Sequence, residues 1–312
     1  MGAGAVGCFF GGRLALAGQD VFFVARGERL DALLGAGLTI VEAAASETIA
    51  PLAAVDDPAE IGPVDVVLLC VKLFDSERAL RACAPLLGEG TIVVTLQNGV
   101  ESPTTAARIV GSTRVVGAAV YVVASMIAPG IVKRTGDWAR IELAALEESA
   151  RSSAAAFAAA CRLAGVDCAI RDDVEQMLWS KFVLLAATSA MTAVTRRPIG
   201  YVRGDPIALE VARGCMQEAV AVARASGVRL QPGMADEAMR QLCEEMDPAA
   251  KASQLVDLEN DRPLELEYLS GAIHRFGRSL GIPTPVHSTV YAALRPFLHG
   301  ATRAAADKGI SS

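Results

Sequence analysis

The chain has 312 residues, 52% of them hydrophobic, and its 35 acidic and 29 basic side chains leave a net charge of −6. That length supports two domains with sizeable cores, and the acidic balance excludes a global attraction to nucleic acid or anionic membrane, so any phosphate must be held locally. Seven scattered cysteines without CxxC spacing, and three histidines (His274, His287 and His299) without ligand spacing, argue against a disulfide frame and a catalytic metal.

The chain opens on Gly2-Ala3-Gly4-Ala5-Val6-Gly7, a GxGxxG pattern, followed by a helix over 8–17 and a strand over 21–26. In a dinucleotide-binding βαβ unit the first glycine makes the tight turn, the second lets backbone approach a pyrophosphate, and the third lets helix pack on strand. The helix N-terminus then turns its free N–H groups to the phosphates. Gly2, Gly4, Ala5, Val6 and Gly7 are therefore candidate cofactor contacts. A buried parallel strand of about five residues should precede such a fingerprint, and only Met1 stands there. Losing that many core residues, at roughly 1.5–3 kcal/mol each, would remove an amount comparable to a domain's whole stability of about 5–15 kcal/mol. The first strand thus reads as truncated, and the expectation is a natural chain that begins upstream of Met1.

Further along, strand and helix patterns alternate, as in a doubly wound sheet. The expected elements are a helix over 29–34, strands over 38–42 and 48–50, and a fully buried strand over 65–71. They continue with a helix over 76–87, a strand over 90–97, a helix over 101–110, strands over 114–125, 131–135 and 140–143, and an Ala-rich helix over 147–164. After about Arg171 strand signals stop, and helical periods run over 173–195, 206–226, 233–246, 262–280 and 284–298. This predicts an α/β Rossmann-type domain over 1–171, an all-helical domain over 172–300, and a frayed tail over 301–312. Of two uncharged stretches, 115–132 fits two strands joined at Pro129-Gly130, and 182–195 is too short to cross a bilayer. No basic segment ahead of an apolar core marks a signal peptide, so a cytoplasmic enzyme without a membrane or nucleic-acid partner is expected.

Arg26 ends the second strand, where an NAD enzyme usually carries an acidic residue for the ribose hydroxyls. A guanidinium there either pairs with a 2′-phosphate, favouring NADPH, or is a solvated surface group; Glu28 offers a ribose hydroxyl an alternative partner. Lys72 and Asn98 each follow a parallel strand, on the carboxyl edge where open α/β sheets bind ligands. Asn98 either orients cofactor and substrate or marks a plain Asn-Gly turn, and Lys72 either borders the cofactor or is surface charge. Lys181 is the only charge between Glu175 and Arg196. Such a lysine either snorkels to solvent or is desolvated toward a pKa useful for giving a proton. Glu265, with Glu267 near it, is either its counter-charge or part of a solvated helix face.

These motifs, in this order, resemble the ketopantoate reductases (2-dehydropantoate 2-reductases) over essentially the whole chain. The likeness rests on the glycine fingerprint, Val24-Ala25-Arg26-Gly27, Val71-Lys72, Leu96-Gln97-Asn98-Gly99-Val100, Ala128-Pro129-Gly130 with Thr135-Gly136, Trp179-Ser180-Lys181, and Ser253 with Glu265-Leu266-Glu267-Tyr268. The resemblance implies a Rossmann domain, a helical domain and a cleft between them. It implies NADPH as hydride source for the C2 ketone of a branched 2-oxo acid, in pantothenate and coenzyme A biosynthesis. Lys181 would protonate the forming alkoxide, Glu265 bind the substrate hydroxyl, Ser253 its carboxylate, and Asn98 position both ligands. The family commonly carries asparagines where this chain has Leu185, Ser189 and Ala250, so Ser189 and Lys251 become candidate substrate contacts. Two rivals follow: a non-catalytic NADP(H) sensor, and an NAD-dependent hydroxyacid or sugar-phosphate dehydrogenase indifferent to Arg26. A homodimer is compatible with the apolar helices of the second half, though no coiled-coil seam specifies one.

Overall fold

The computed structural model describes residues 1–43 and 45–300, so the expected frayed tail over 301–312 lies outside the described residues. The chain divides into two compact units, Met1–Met177 and the residues from Leu178 onward.

The first unit begins with α1 (Ala5–Leu16), β1 (Phe22–Val24), α2 (Glu28–Gly35), β2 (Leu38–Val41), β3 (Ser46–Ile49) and β4 (Ala53–Val55). It continues with β5 (Val64–Leu69), α3 (Ser76–Ala82), β6 (Leu87–Thr95), α4 (Ser102–Val110), β7 (Val115–Ala128), β8 (Ile131–Ala145), α5 (Arg151–Leu163) and β9 (Asp167–Ile170). A seven-stranded sheet runs β3-β2-β8-β7-β6-β5, with β9 also on β8, while β1 and β4 form a separate parallel pair. β5, β6 and β7 are parallel neighbours, and β7 and β8 form a long antiparallel hairpin. Helices cover both faces: Phe9, Phe10 and Phe157 of α1 and α5 pack in one core, and Leu80 and Ala106 of α3 and α4 in the other. This is the doubly wound α/β arrangement.

Several elements differ from expectation. The strands expected at 131–135 and 140–143 are one strand, because Gly136, at φ +85°, is absorbed where the pairing with β7 shifts between Tyr121 and Val123. The helix expected over 76–87 stops at Ala82; a single turn containing Pro85 follows, and β6 starts at Leu87. β4 and β9 went unpredicted. The strand expected as fully buried, β5, buries only Val67 and Leu69; Val66 and Leu68, on its other face, are half-buried.

The second unit is helical, with α6 (Val174–Thr195) reaching into it, then α7 (Ile199–Gly204), α8 (Pro206–Ala225), α9 (Met234–Arg240), α10 (Ser253–Glu259), α11 (Ser270–Leu280) and α12 (Pro285–Leu294). α6 is 22 residues long and apolar enough to cross a bilayer by length and composition, so the stretch read as too short belongs to a longer helix. Most of that helix is nonetheless buried within the protein: Phe182, Val183, Ala186, Ala187, Ala190 and Ala193 are all inaccessible. α11 begins at Ser270, eight residues later than expected, because Glu265 starts an isolated turn over Leu266–Tyr268 and Leu269 leaves helical geometry. Glu218 of α8 accepts from the backbone N–H groups of Val286 and His287 at 2.7 and 2.9 Å, capping α12.

Candidate active site

Two sets of side chains, one in each unit, carry the candidate chemistry. In the first unit the glycines shape the turn into α1. Gly2 has φ of +96°, and a Cβ there would stand 2.8 Å from Val71. A Cβ on Gly7 would come within 2.2 Å of the Gly2 carbonyl oxygen, whereas one on Gly4 would meet nothing within 4 Å. The first and third glycines are thus needed for turn and helix to close, and the second faces open space, as a bound phosphate requires. Gly4 is the N-cap of α1 with no side-chain cap, and the first turn holds no acidic residue. The amides of Ala5 and Val6 are therefore free to meet an anion.

The other first-unit candidates follow strand ends. Arg26 is exposed two residues past β1, and Glu28, also exposed, opens α2. Lys72 and Asn98 are half-buried after β5 and β6. Between them lies a residue that sequence reading named only as part of a motif: Gln97, which is buried. Its amide nitrogen donates to Val71 O at 2.7 Å and to Ser76 Oγ at 2.8 Å, and its oxygen accepts from Ser102 Oγ. Gln97 thereby ties the loop carrying Lys72 to the loop carrying Asn98. Its signal was the side-chain amide in the Gln-Asn-Gly triplet at a strand end.

In the second unit Lys181 sits on α6, one turn before Leu185 and two turns before Ser189, so the three share a helix face. Trp179 braces this end of the helix, edge-on to Phe182 at 5.4 Å and tilted on Phe276 of α11 at 6.0 Å. Burial pulls the Lys181 ammonium down from its ordinary value to about 8. Ser189 is buried, and its hydroxyl has no hydrogen-bond partner among the described residues. Its carbonyl accepts from buried Gln254 of α10 at 3.5 Å. Ser253, the first residue of α10, is exposed.

Glu265 is buried and precedes α11, which removes it from the solvated helix face offered as its alternative. Glu267 is engaged by the Tyr291 hydroxyl at 2.7 Å and by Arg275. Lys251 is exposed, and its Nζ stands 2.8 and 2.9 Å from the two carboxylate oxygens of Glu259, a surface ion pair. Among the described residues no group of three or more His, Cys, Asp or Glu side chains could hold a metal ion.

Comparison with known proteins gives these residues a context. The family model for ketopantoate reductase PanE/ApbA matches residues 1–148, and that for its C-terminal region matches residues 173–297. A 2-dehydropantoate 2-reductase of Mesorhizobium japonicum is 31% identical, the match covering 94% of this chain and 95% of the relative. The crystal structure of a PanE/ApbA family ketopantoate reductase from Ralstonia eutropha superposes with a TM-score of 0.86 at 35% identity, covering 95% of this chain and 96% of that one. A D-mandelate dehydrogenase solved with NADH and anilino(oxo)acetate shares the fold, with a TM-score of 0.88 at 22% identity and 95% and 96% coverage. With both of its halves matched by the family's models and a relative 31% identical over nearly its whole length, the chain belongs to the ketopantoate reductase family of oxidoreductases.

Proposed function

We propose that this chain is an NADPH-dependent reductase of a branched 2-oxo acid, with 2-dehydropantoate, giving pantoate, as the substrate to test first. The observation that carries the reading is Lys181, an ammonium pulled down to about 8 on a helix whose one other charged side chain is Glu175 in its first turn, in a chain of this family. The open backbone at Gly4 and the uncapped amides of α1 fit a dinucleotide pyrophosphate. Exposed Arg26 fits a 2′-phosphate as a bidentate donor. When bound there, the reduced nicotinamide supplies the hydride that the ketone carbon accepts. Lys181 Nζ gives a proton to the ketone oxygen as it gains charge, completing the hydroxyl, and is reprotonated from solvent. Asn98, on the loop that Gln97 fixes, orients the ligands. Glu265 accepts from the substrate hydroxyl and Ser253 donates to its carboxylate.

A second substrate reading has its own support. Leu185 and Ser189, beside Lys181 on α6, offer less hydrogen bonding than asparagines would, and a fold neighbour is a D-mandelate dehydrogenase. Both features favour a bulkier or more apolar 2-oxo acid. The deciding assay follows loss of NADPH absorbance with 2-dehydropantoate and with a panel of aryl and branched 2-oxo acids. Fastest turnover on 2-dehydropantoate supports the first reading, and activity confined to another acid supports the second. NADPH binding without turnover on any of them would refute both and favour a sensor.

A further inference from the structure

Glu265 lies in the segment that joins α10 to α11 and not on either helix. The turn that follows it, Leu266–Tyr268, is closed by two backbone bonds: the Tyr268 N–H donates to Glu265 O at 3.0 Å and the Leu269 N–H to Leu266 O at 3.3 Å. Leu269 itself stands at φ −110° and ψ −103°, outside the common backbone regions, so the turn does not run on into α11. A lone turn of this kind has little cooperativity of its own. Its place is set by what holds it from outside.

Glu267 supplies that hold. The Tyr291 hydroxyl of α12 donates to Glu267 Oε1 at 2.7 Å, while Arg275 of α11 donates to the Glu267 carbonyl at 2.5 Å and stands 3.4 Å from Oε2. Both following helices therefore grip one residue, with charge-assisted bonds to its carboxylate. Tyr291 is fixed in turn: its ring centroid is 5.5 Å from that of His274, whose Nδ1 pairs with Ser288 Oγ at 2.8 Å, and the Arg295 guanidinium carbon lies 5.6 Å from the same ring. Gly271 makes the close approach possible. A Cβ there would stand 3.0 Å from Leu266 O, 3.1 Å from Tyr291 Cε2 and 3.4 Å from Glu267 Oε2, so no side chain comes between the turn and the ring. The two carboxylates divide the work: Glu265 is buried, and Glu267, half-buried, is anchored.

We infer that Tyr291 and Glu267 are positioning residues for Glu265, their hydrogen bond and the Arg275 contacts holding the turn so that the buried carboxylate receives the substrate hydroxyl in one place. The inference rests on the reading of Glu265 as acceptor for that hydroxyl. An acceptor must be held to within about 0.5 Å to keep such a bond, and losing a hydrogen bond to a charged group costs roughly ten- to a hundredfold in binding. The hydroxyl is remote from the reacting ketone, so it is bound alike before and during hydride transfer. Loosening its acceptor raises KM and spares kcat.

The test uses Tyr291→Phe and Gly271→Ala, which disturb the grip from two sides, and Thr289→Ala, which removes a different hydrogen bond of α12, from the Thr289 hydroxyl to Pro285 O at 2.8 Å. Amide exchange at Tyr268 is read on each, with KM and kcat for 2-dehydropantoate and for trimethylpyruvate, the same oxo acid without its hydroxyl. Tyr291→Phe and Gly271→Ala should speed exchange at Tyr268 about tenfold or more. They should also raise KM for 2-dehydropantoate about three- to tenfold, with kcat nearly unchanged and the KM for trimethylpyruvate unmoved. Thr289→Ala should do none of this. Unaltered exchange at Tyr268 in Tyr291→Phe would overturn the inference whatever the substrate, and so would a KM raised equally for both acids. Glu265→Ala is the reference: if it leaves the preference between the two acids intact while Tyr291→Phe still speeds exchange, the reading of Glu265 fails and the turn is held for another purpose.

Discussion

Titrating Lys181 tests the proposed mechanism at its centre. Burial takes its pKa from 10.5 to about 8, a difference of about 3 kcal/mol between the charged and neutral forms at roughly 1.4 kcal/mol per unit. With a pKa near 8, about nine lysines in ten hold the proton at pH 7 and about one in ten at pH 9. Only the protonated form can complete the hydroxyl. The value of kcat/KM for ketone reduction should therefore be flat below about pH 7 and fall toward tenfold per unit above pH 8, since kcat/KM reports the free enzyme. Lys181→Arg keeps the positive charge but titrates above about pH 12. It should lose about 10²-fold or more in kcat and lose the decline above pH 8, while NADPH affinity stays near that of the parent. A parent profile level from pH 7 to 10, or an arginine variant with undiminished kcat, would assign the proton to another group.

Other substitutions probe the cradle and its supports. Arg26→Ala should weaken NADPH far more than NADH in binding titrations, because the 2′-phosphate alone distinguishes them; equal losses would indicate a general defect. Gly7→Ala should abolish measurable NADPH binding, since its methyl would meet the Gly2 carbonyl oxygen at 2.2 Å and the turn must open. Gln97→Leu should cost about 2–4 kcal/mol in denaturant unfolding, because it strips a partner from Val71 O and from buried Ser76 and Ser102, and should raise the KM for NADPH. His287 is buried between Ser270 Oγ and Cys215 O, and burial lowers its pKa to about 4. Between about pH 6.5 and 4 the unfolded chain therefore takes up the proton that the folded chain refuses. Stability is full above pH 6.5 and should drop by about 3 kcal/mol as pH falls through that window. His287→Gln should flatten this part of the unfolding profile.

The glycine turn was the most legible feature, because each glycine answers a steric demand that can be stated from the pattern alone, and Gly2 and Gly7 meet it. Long elements with a clear apolar period, such as α8 and β6, were legible for the same reason. β4, three residues long, and α10, seven, are too short to display a period, and β9 shows mixed polarity along Asp167–Ile170. Gly136 looked like a chain break because a positive-φ glycine usually ends a strand; only the partner strand shows that β8 continues past it. At the candidate site, residue type pointed to Lys181 and Glu265, but burial of Glu265 depends on where Leu269 breaks the helix. The Lys251–Glu259 pair was hidden because it spans eight positions, joining a loop residue to the far end of α10.

The β7–β8 hairpin bears on how the first unit acquires its fold. Its two strands are joined by the short turn at Pro129-Gly130 and pair from Val116 with Ala145 to Ala128 with Ile131. Local antiparallel pairing of this kind forms in about 1–10 μs. The parallel contacts must wait for longer loops to close, the longest joining Thr39 of β2 to Ile131 of β8. A chain that leaves the ribosome N-terminus first thus makes its opening glycine turn early, but Phe9 and Phe10 of α1 lack Val116, Ala118, Ile141 and Leu143 as core partners until the hairpin has emerged. Translation must reach the end of β8 at Ala145 before the first helix is packed on its full set of strands.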